Sequence, residues 1–322
     1  MISATFSGGR SRHLSTVACM QAMAKDADAS KVAGDDGGED KRPVVLITGC
    51  AKGGIGYEYC LAFAAMGCRV VATDIPERVG ELAGLGEGTE KLPLDVTSDE
   101  SVEAAVARVV AAHGRVDVLV NNAGIGCTGP LAELPPEAVR RAMDVNFLGQ
   151  VRMVRAVAPH MCARRRGRVV NVGSVVGAAA TPWAAPYCAS KAAVHAATDA
   201  LRLELRPFGV AVVKVVPGAV RSGLGRANAA RLAAAAPAAA GWRLYGAFAA
   251  AIEERARASQ AGRATEAAAL ARHVARRVLS ARPPREIVYG HMTLLFAALA
   301  AAPAWVRDAF FSRRFGLNKK LD

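Results

Sequence analysis

Aromatic residues are scarce in this chain of 322 residues, at 5%, and charged residues reach only 21%. So few rings argue against a surface that binds single-stranded nucleic acid by base stacking. No C-x-x-C pair occurs among the seven cysteines, Cys19, Cys50, Cys60, Cys68, Cys127, Cys162 and Cys188, and their number is odd. That pattern argues against a disulfide framework and for reduced thiols in an intracellular compartment. The six histidines are equally dispersed, so no metal site is expected. His195, one helical turn past Lys191, is assigned a packing or surface role.

Apolar residues make up 52% of the chain, which excludes global disorder, and the length suits one large domain. The formal net charge of +13 suits an anionic cofactor, an anionic substrate or a negatively charged membrane surface. No nucleic-acid partner is expected, and the basic runs near residues 164–168 and 313–320 read as solvated surface.

Residues 1–42 read as a leader outside the fold. They begin acid-poor with Arg10, Arg12 and His13, and end in the linker-like run Gly34–Asp40. A disordered tail and an organelle transit peptide are equal readings of this segment. From Pro43 to residue 290, short apolar runs alternate with amphipathic stretches. Strands are expected at Val44–Ile47, Arg69–Thr73, Leu92–Val96, Val116–Val120, Arg168–Val172, Val210–Val216 and Ile287–Tyr289. Helices are expected at Tyr57–Met66, Ser98–Ala112 with Ser98 as N-cap, Ala138–Cys162 and Ala189–Leu205. This alternation predicts an α/β fold, a doubly wound parallel sheet of Rossmann type in a single domain. Residues 291–322 form an apolar and basic C-terminal extension. Ile287 to Val306 carries no charged residue, but Gly290, His291 and Pro303 interrupt it. A helix lying on the protein or in a membrane interface is therefore expected rather than a span.

Four motifs carry chemistry. The turn Thr48-Gly49-Cys50-Ala51-Lys52-Gly53-Gly54-Ile55-Gly56 joins a strand to a helix, where glycines let a pyrophosphate approach the backbone and the helix N-terminus. Asp74, ending the second strand, suits the ribose hydroxyls of NAD and would repel the extra phosphate of NADP. Lys52 and Arg78 point the other way. Asn121-Asn122-Ala123-Gly124 follows the fourth strand, where small residues leave room for a cofactor and the asparagines can lock strands together. Ser174 follows the fifth strand, and Tyr187 and Lys191 share one face of the next helix. At about 4 Å and an effective dielectric near 20, an ammonium would stabilise a phenolate by roughly 4 kcal/mol. Tyr187 is thus expected to act as a general acid–base at neutral pH, with Ser174 donating to a carbonyl oxygen.

Together with Pro217-Gly218, these motifs resemble the short-chain dehydrogenase/reductase family from Pro43 to Tyr289. The resemblance implies a seven-stranded sheet and a Ser–Tyr–Lys site completed by Asn146, which supports the lysine through a water. It implies that Asp95 and Val96 contact adenine, that Lys191 also holds the nicotinamide ribose, and that Ser222 takes the place of a carboxamide-binding threonine. The Gly-rich turn with Tyr57-Glu58, and the ending Phe310–Leu317, resemble the NADPH-dependent 1-acyldihydroxyacetone phosphate reductase branch. That branch implies NADP(H), a lipid-like ketone and the surface of endoplasmic reticulum or lipid droplets. Asp74 keeps NAD(H) open. Hydroxysteroid or retinol dehydrogenase activity is the alternative chemistry, and a non-catalytic dinucleotide-binding scaffold at a lipid surface the alternative class. A homodimer, and organelle import or a cytoplasmic location, also stand open. If the substrate is a phosphate ester, Arg221 or Arg226 is the expected phosphate ligand.

Overall fold

The computed structural model describes residues 41–235, 241–260 and 262–318, so the readings made for residues 1–40 lie outside the described residues. Val44–Thr48 (β1) is five consecutive buried residues, as a strand covered on both faces requires. It pairs in parallel with Arg69–Asp74 (β2) on one side and Val118–Asn121 (β4) on the other. Thr89–Pro93 (β3), Gly167–Val172 (β5), Val210–Pro217 (β6) and Glu286–Tyr289 (β9) complete a seven-stranded, all-parallel sheet in the order β3-β2-β1-β4-β5-β6-β9. Val220–Arg221 (β7) and Thr265–Glu266 (β8) form a separate two-stranded ribbon. The strand order reverses between β1 and β4, and the crevice beyond their carboxyl ends is where such sheets bind ligands.

Alternation along the strands splits the core between two faces. Val45, Ile47, Val70, Val120 and Val213 pack against Ile55–Ala64 (α1) and Ala267–Leu279 (α8), through Tyr59, Phe63, Leu270 and Val274. Leu46, Val71, Leu119, Val169 and Val212 face Asp99–His113 (α2) and Gly149–Ala163 (α4), through Val106, Val109, Met153 and Val157. Ser98 caps α2 by accepting the Ser101 N–H at 3.1 Å.

Several elements differ from expectation. The helix expected over Ala138–Cys162 is two helices, Pro136–Met143 (α3) and α4, joined by a π-helical turn at Asp144–Leu148. There the Asn146 amide bonds the backbone of Ile125 in both directions, accepting its N–H at 2.7 Å and donating to its C=O at 3.0 Å. The strand expected at Leu92–Val96 is displaced, because pairing with β2 selects the polar segment Thr89–Pro93. Leu94–Val96 then continues past the sheet edge.

Ala185–Glu204 (α5) begins four residues before its expected start. After β6 come Gly223–Ala235 (α6) and Ala249–Arg257 (α7), then α8 and β9. The apolar stretch after β9 is two helices, Thr293–Ala301 (α9) and Ala304–Phe315 (α10), divided at Pro303. Among the described residues, no helix is long and apolar enough to cross a membrane. Phe296, Leu299, Phe311 and Phe315 instead join Trp183, Cys188 and Ile252 in a third apolar cluster.

Candidate active site

One cleft of about 890 Å³ runs along the carboxyl ends of β1, β2, β4, β5 and β6. Ser174, Tyr187 and Lys191 line it, as do Gly49, Asp74, Asn122 and Ser222, whereas Gly56 and Asn146 do not. At one end lies the Gly-rich turn. Gly49 has φ 71°, and a Cβ there would sit 2.7 Å from the Ala123 Cα. A Cβ on Gly56 would overlap the Gly49 carbonyl oxygen and lie 2.6 Å from the Asn122 Nδ2. These glycines make a cradle that a larger residue would fill, and they open α1. Such a cradle fits a pyrophosphate held by backbone N–H groups.

Asp74, buried beside this turn, accepts the Ala51 N–H at 2.7 Å and the Ile75 N–H at 2.9 Å. Burial raises its pKa above the ordinary carboxylate range, opposed by those two bonds and by Arg78. Lys52 is exposed, and Arg78 is tied to Glu81 by two hydrogen bonds of 2.9 Å. Asp95 turns one carboxylate oxygen to the N–H and hydroxyl of Thr97. Asn122 donates to the carbonyls of Thr48 and Gly49, while Thr48 Oγ1 accepts the N–H groups of Asn122 and Ala123. The asparagine motif therefore locks β1 to β4, and Asn121 extends the lock to Asn171 on β5 at 2.8 Å.

Mid-cleft, Tyr187, Ser174 and Lys191 line the same cavity, and Ser174 is near enough to the phenol to lower its pKa. Tyr187 stands in the first turn of α5, which is pinned from behind. Ser190 Oγ donates to the Tyr187 carbonyl at 2.8 Å and accepts from Asn146 Nδ2 at 3.0 Å. Asn146 thus reaches the site through Ser190 and its own π turn. Lys191, 3% exposed, donates to the Val172 carbonyl at 2.9 Å.

The electrostatics correct one expectation. The Lys191 Nζ lies 5.8 Å from the centre of the Tyr187 ring, and burial, not the ammonium, dominates the phenol's titration. Spacing of four brings the two stems together but does not fix where the tips meet. Burial pushes the Tyr187 pKa above its ordinary value, and Ser174 and the Arg255 charge oppose that rise. Burial pulls Lys191 down to about 8. The resting phenol is a protonated donor.

His195, expected to serve packing, backs the site directly. Its Nε2 accepts the Ser174 N–H at 3.3 Å, which requires the neutral ring. Burial, with Lys214 and Lys191 nearby, lowers its pKa to about 4, against the pull of Asp199. The unfolded chain takes up this proton near pH 6.5 and the folded chain only near pH 4. Stability therefore falls as pH drops through that window, by up to about 3 kcal/mol from this group. Urea melts from pH 7 to 4.5 should show a smaller loss in His195→Gln; an equal loss would remove this role.

Neither of the arginines offered as a phosphate ligand lines the cleft. Arg221 pairs with Glu266 at 2.8 Å, and Arg226 lies over Gly53 outside the lining. The expectation fails because β7 pairs with β8 and carries Arg221 to Glu266.

The short chain dehydrogenase family model matches residues 43–233, more than half of the sequence. The chain belongs to the short-chain dehydrogenase family. An NADPH-dependent 1-acyldihydroxyacetone phosphate reductase of Schizosaccharomyces pombe is 42% identical over 55% of this chain and 60% of its own length. A 3-ketodihydrosphingosine reductase of Bacteroides thetaiotaomicron is 37% identical over 56% of this chain and 65% of its own. The crystal structure of a short-chain dehydrogenase from Streptomyces avermitilis superposes with a TM-score of 0.68 at 27% identity, covering 87% of this chain and all of that one. The matched segment thus spans under two thirds of either curated relative's length.

This short-chain dehydrogenase has features that motif reading passed over. Ser190 lies inside the Tyr-x-x-x-Lys motif, and Thr48 inside the Gly-rich motif, so both were within reach. Arg255 had no such signal. It lies in the Ala- and Arg-rich region 223–280 and lines the cleft only because α7 packs there.

Proposed function

We propose that the chain is a carbonyl reductase acting on a lipid-like ketone, 1-acyldihydroxyacetone phosphate foremost. The observation that carries this reading is that Ser174, Tyr187 and Lys191 line one cavity together with the Gly-rich turn and a group of aromatic side chains. A bound nicotinamide cofactor supplies the hydride. Ser174 donates a hydrogen bond to the substrate carbonyl oxygen, and Tyr187, protonated at rest, gives its O–H proton to that oxygen as charge develops. Lys191 donates from the floor of the site, and Asn146 with Ser190 holds the first turn of α5 in place.

The aromatic end is formed by Met292, Phe296, Phe310, Phe311 and Phe315, which suit an acyl chain. The names of the yeast and bacterial relatives support a lipid substrate. At the ribose end, the buried carboxylate of Asp74 favours NADH over the NADPH that the family branch implies, because a second phosphate there would meet an anion. Leu294, 85% exposed on α9, and Trp305, 72% exposed on α10, support attachment to a lipid surface, which sedimentation with vesicles measures.

Initial rates test the whole reading. With NADH and NADPH, 1-acyldihydroxyacetone phosphate should be reduced faster than a steroid ketone or retinal, and NADH should be preferred. Faster turnover of steroid or retinal would overturn the substrate, and preference for NADPH would overturn the role of Asp74.

A further inference from the structure

We propose that Arg255 is the binding site for the anionic headgroup of the substrate, a phosphate monoester, within the cavity that holds Tyr187. This rests on the reading of the protein as a reductase of a lipid-like ketone and names the group that orients that ketone.

The geometry of α7 separates Arg255 from its neighbours. Glu253 faces Arg257 at 3.6 Å, and Glu254 is taken by Arg314 of α10. Arg255 turns to the cavity, and its Nε donates to the buried Thr181 Oγ1 at 2.8 Å. Among the described residues no carboxylate pairs with it. One edge of the guanidinium is fixed, and the Nη groups remain as a planar fork of the kind that takes a phosphate in two parallel bonds. A half-buried cation without a counter-ion is costly, and a bound anion offsets that cost.

Position adds a second argument. Arg255 lines the same cavity as Ser174 and Tyr187, and its charge lowers the Tyr187 pKa, so an anion held here shares the cavity with the reacting carbonyl. On the same cavity wall, Phe296, Phe310, Phe311 and Phe315 offer an apolar surface, and the acid there, Glu254, is neutralised by Arg314. A cation in that cavity beside an aromatic wall matches an amphiphile with an anionic head and an acyl tail. A neutral steroid or retinoid would leave the guanidinium unmatched.

The test has two arms. In the first, wild type, Arg255→Gln and Arg255→Lys are compared by kcat/KM for 1-acyldihydroxyacetone phosphate and for its dephosphorylated alcohol. Arg255→Gln should lower the preference for the phosphate ester ten- to hundred-fold, equivalent to about 1.4–2.8 kcal/mol, with partial recovery in Arg255→Lys. A general slowing through Tyr187 cancels in this ratio, so an unchanged ratio overturns the proposal. The second arm needs no turnover: calorimetry of cofactor-loaded protein with dodecyl phosphate and with dodecanol. Arg255→Gln should weaken the phosphate at least ten-fold more than the alcohol, and equal weakening overturns the proposal. If neither ketone is reduced but dodecyl phosphate binding depends on Arg255, the anion site stands and the assigned ketone falls. If the ester is reduced with no dependence on Arg255, the reductase stands and the anion site falls.

Discussion

Replacing Tyr187 by Phe should lower kcat by about 10²- to 10⁴-fold, the usual worth of a positioned general acid. The substitution removes the phenolic oxygen that faces the cavity beside Ser174. It keeps the ring, so the contact with Lys191 and the packing at the edge of the third apolar cluster persist. Cofactor affinity should accordingly stay close to that of wild type in a fluorescence titration. Single-turnover hydride transfer measures the chemical step apart from product release. Full activity in Tyr187→Phe would sink the mechanism, and wild-type protein that binds cofactor but turns over no ketone would favour a scaffold.

Replacing Gly56 by Ala should have the largest effect on the cofactor end. The added methyl overlaps the Gly49 carbonyl oxygen and meets the Asn122 amide at 2.6 Å. Neither can retreat cheaply, because that amide donates to Thr48 and Gly49 and so ties β4 to the turn. Overpacking of this kind costs about 1–3 kcal/mol, and it reshapes the cradle itself. Cofactor affinity should fall about ten- to hundred-fold with a lower urea midpoint. Gly80→Ala, with no atom within 4 Å of the new methyl, is the control. Equal behaviour of the two variants would refute the cradle.

Much of this architecture could be read from residue order, for physical reasons that differ by element. Strands β1, β5 and β6 lie inside the sheet, so burial on both faces leaves an apolar run along β1 and runs broken only by Arg168, Asn171 and Lys214 along the other two. Strand β3 lies at the edge and is largely polar, so its position was masked by the apolar residues just beyond it. The break between α3 and α4 depends on Ile125, a partner 21 residues away from Asn146. The spacing of Tyr187 and Lys191 was plain, but the direction of the electrostatic effect was not. It is set by burial, which outweighs the opposing charge of Arg255 that the packing of α7 brings near.

Strand β9 has a consequence for synthesis of the chain. It covers the outer edge of β6 by pairing Lys214–Pro217 with Glu286–Tyr289. A growing chain therefore completes β6, and every cofactor-facing residue through Ser222, long before the strand that shields it. At about 5–20 residues per second, the roughly 70 residues between them leave that edge bare for about 4–14 s. An uncovered, apolar parallel strand is a template for pairing with another chain. The ribosome thus delivers the dinucleotide half first, and the aromatic wall of α9 and α10 last. For those seconds, the nascent protein is most exposed to aggregation along β6.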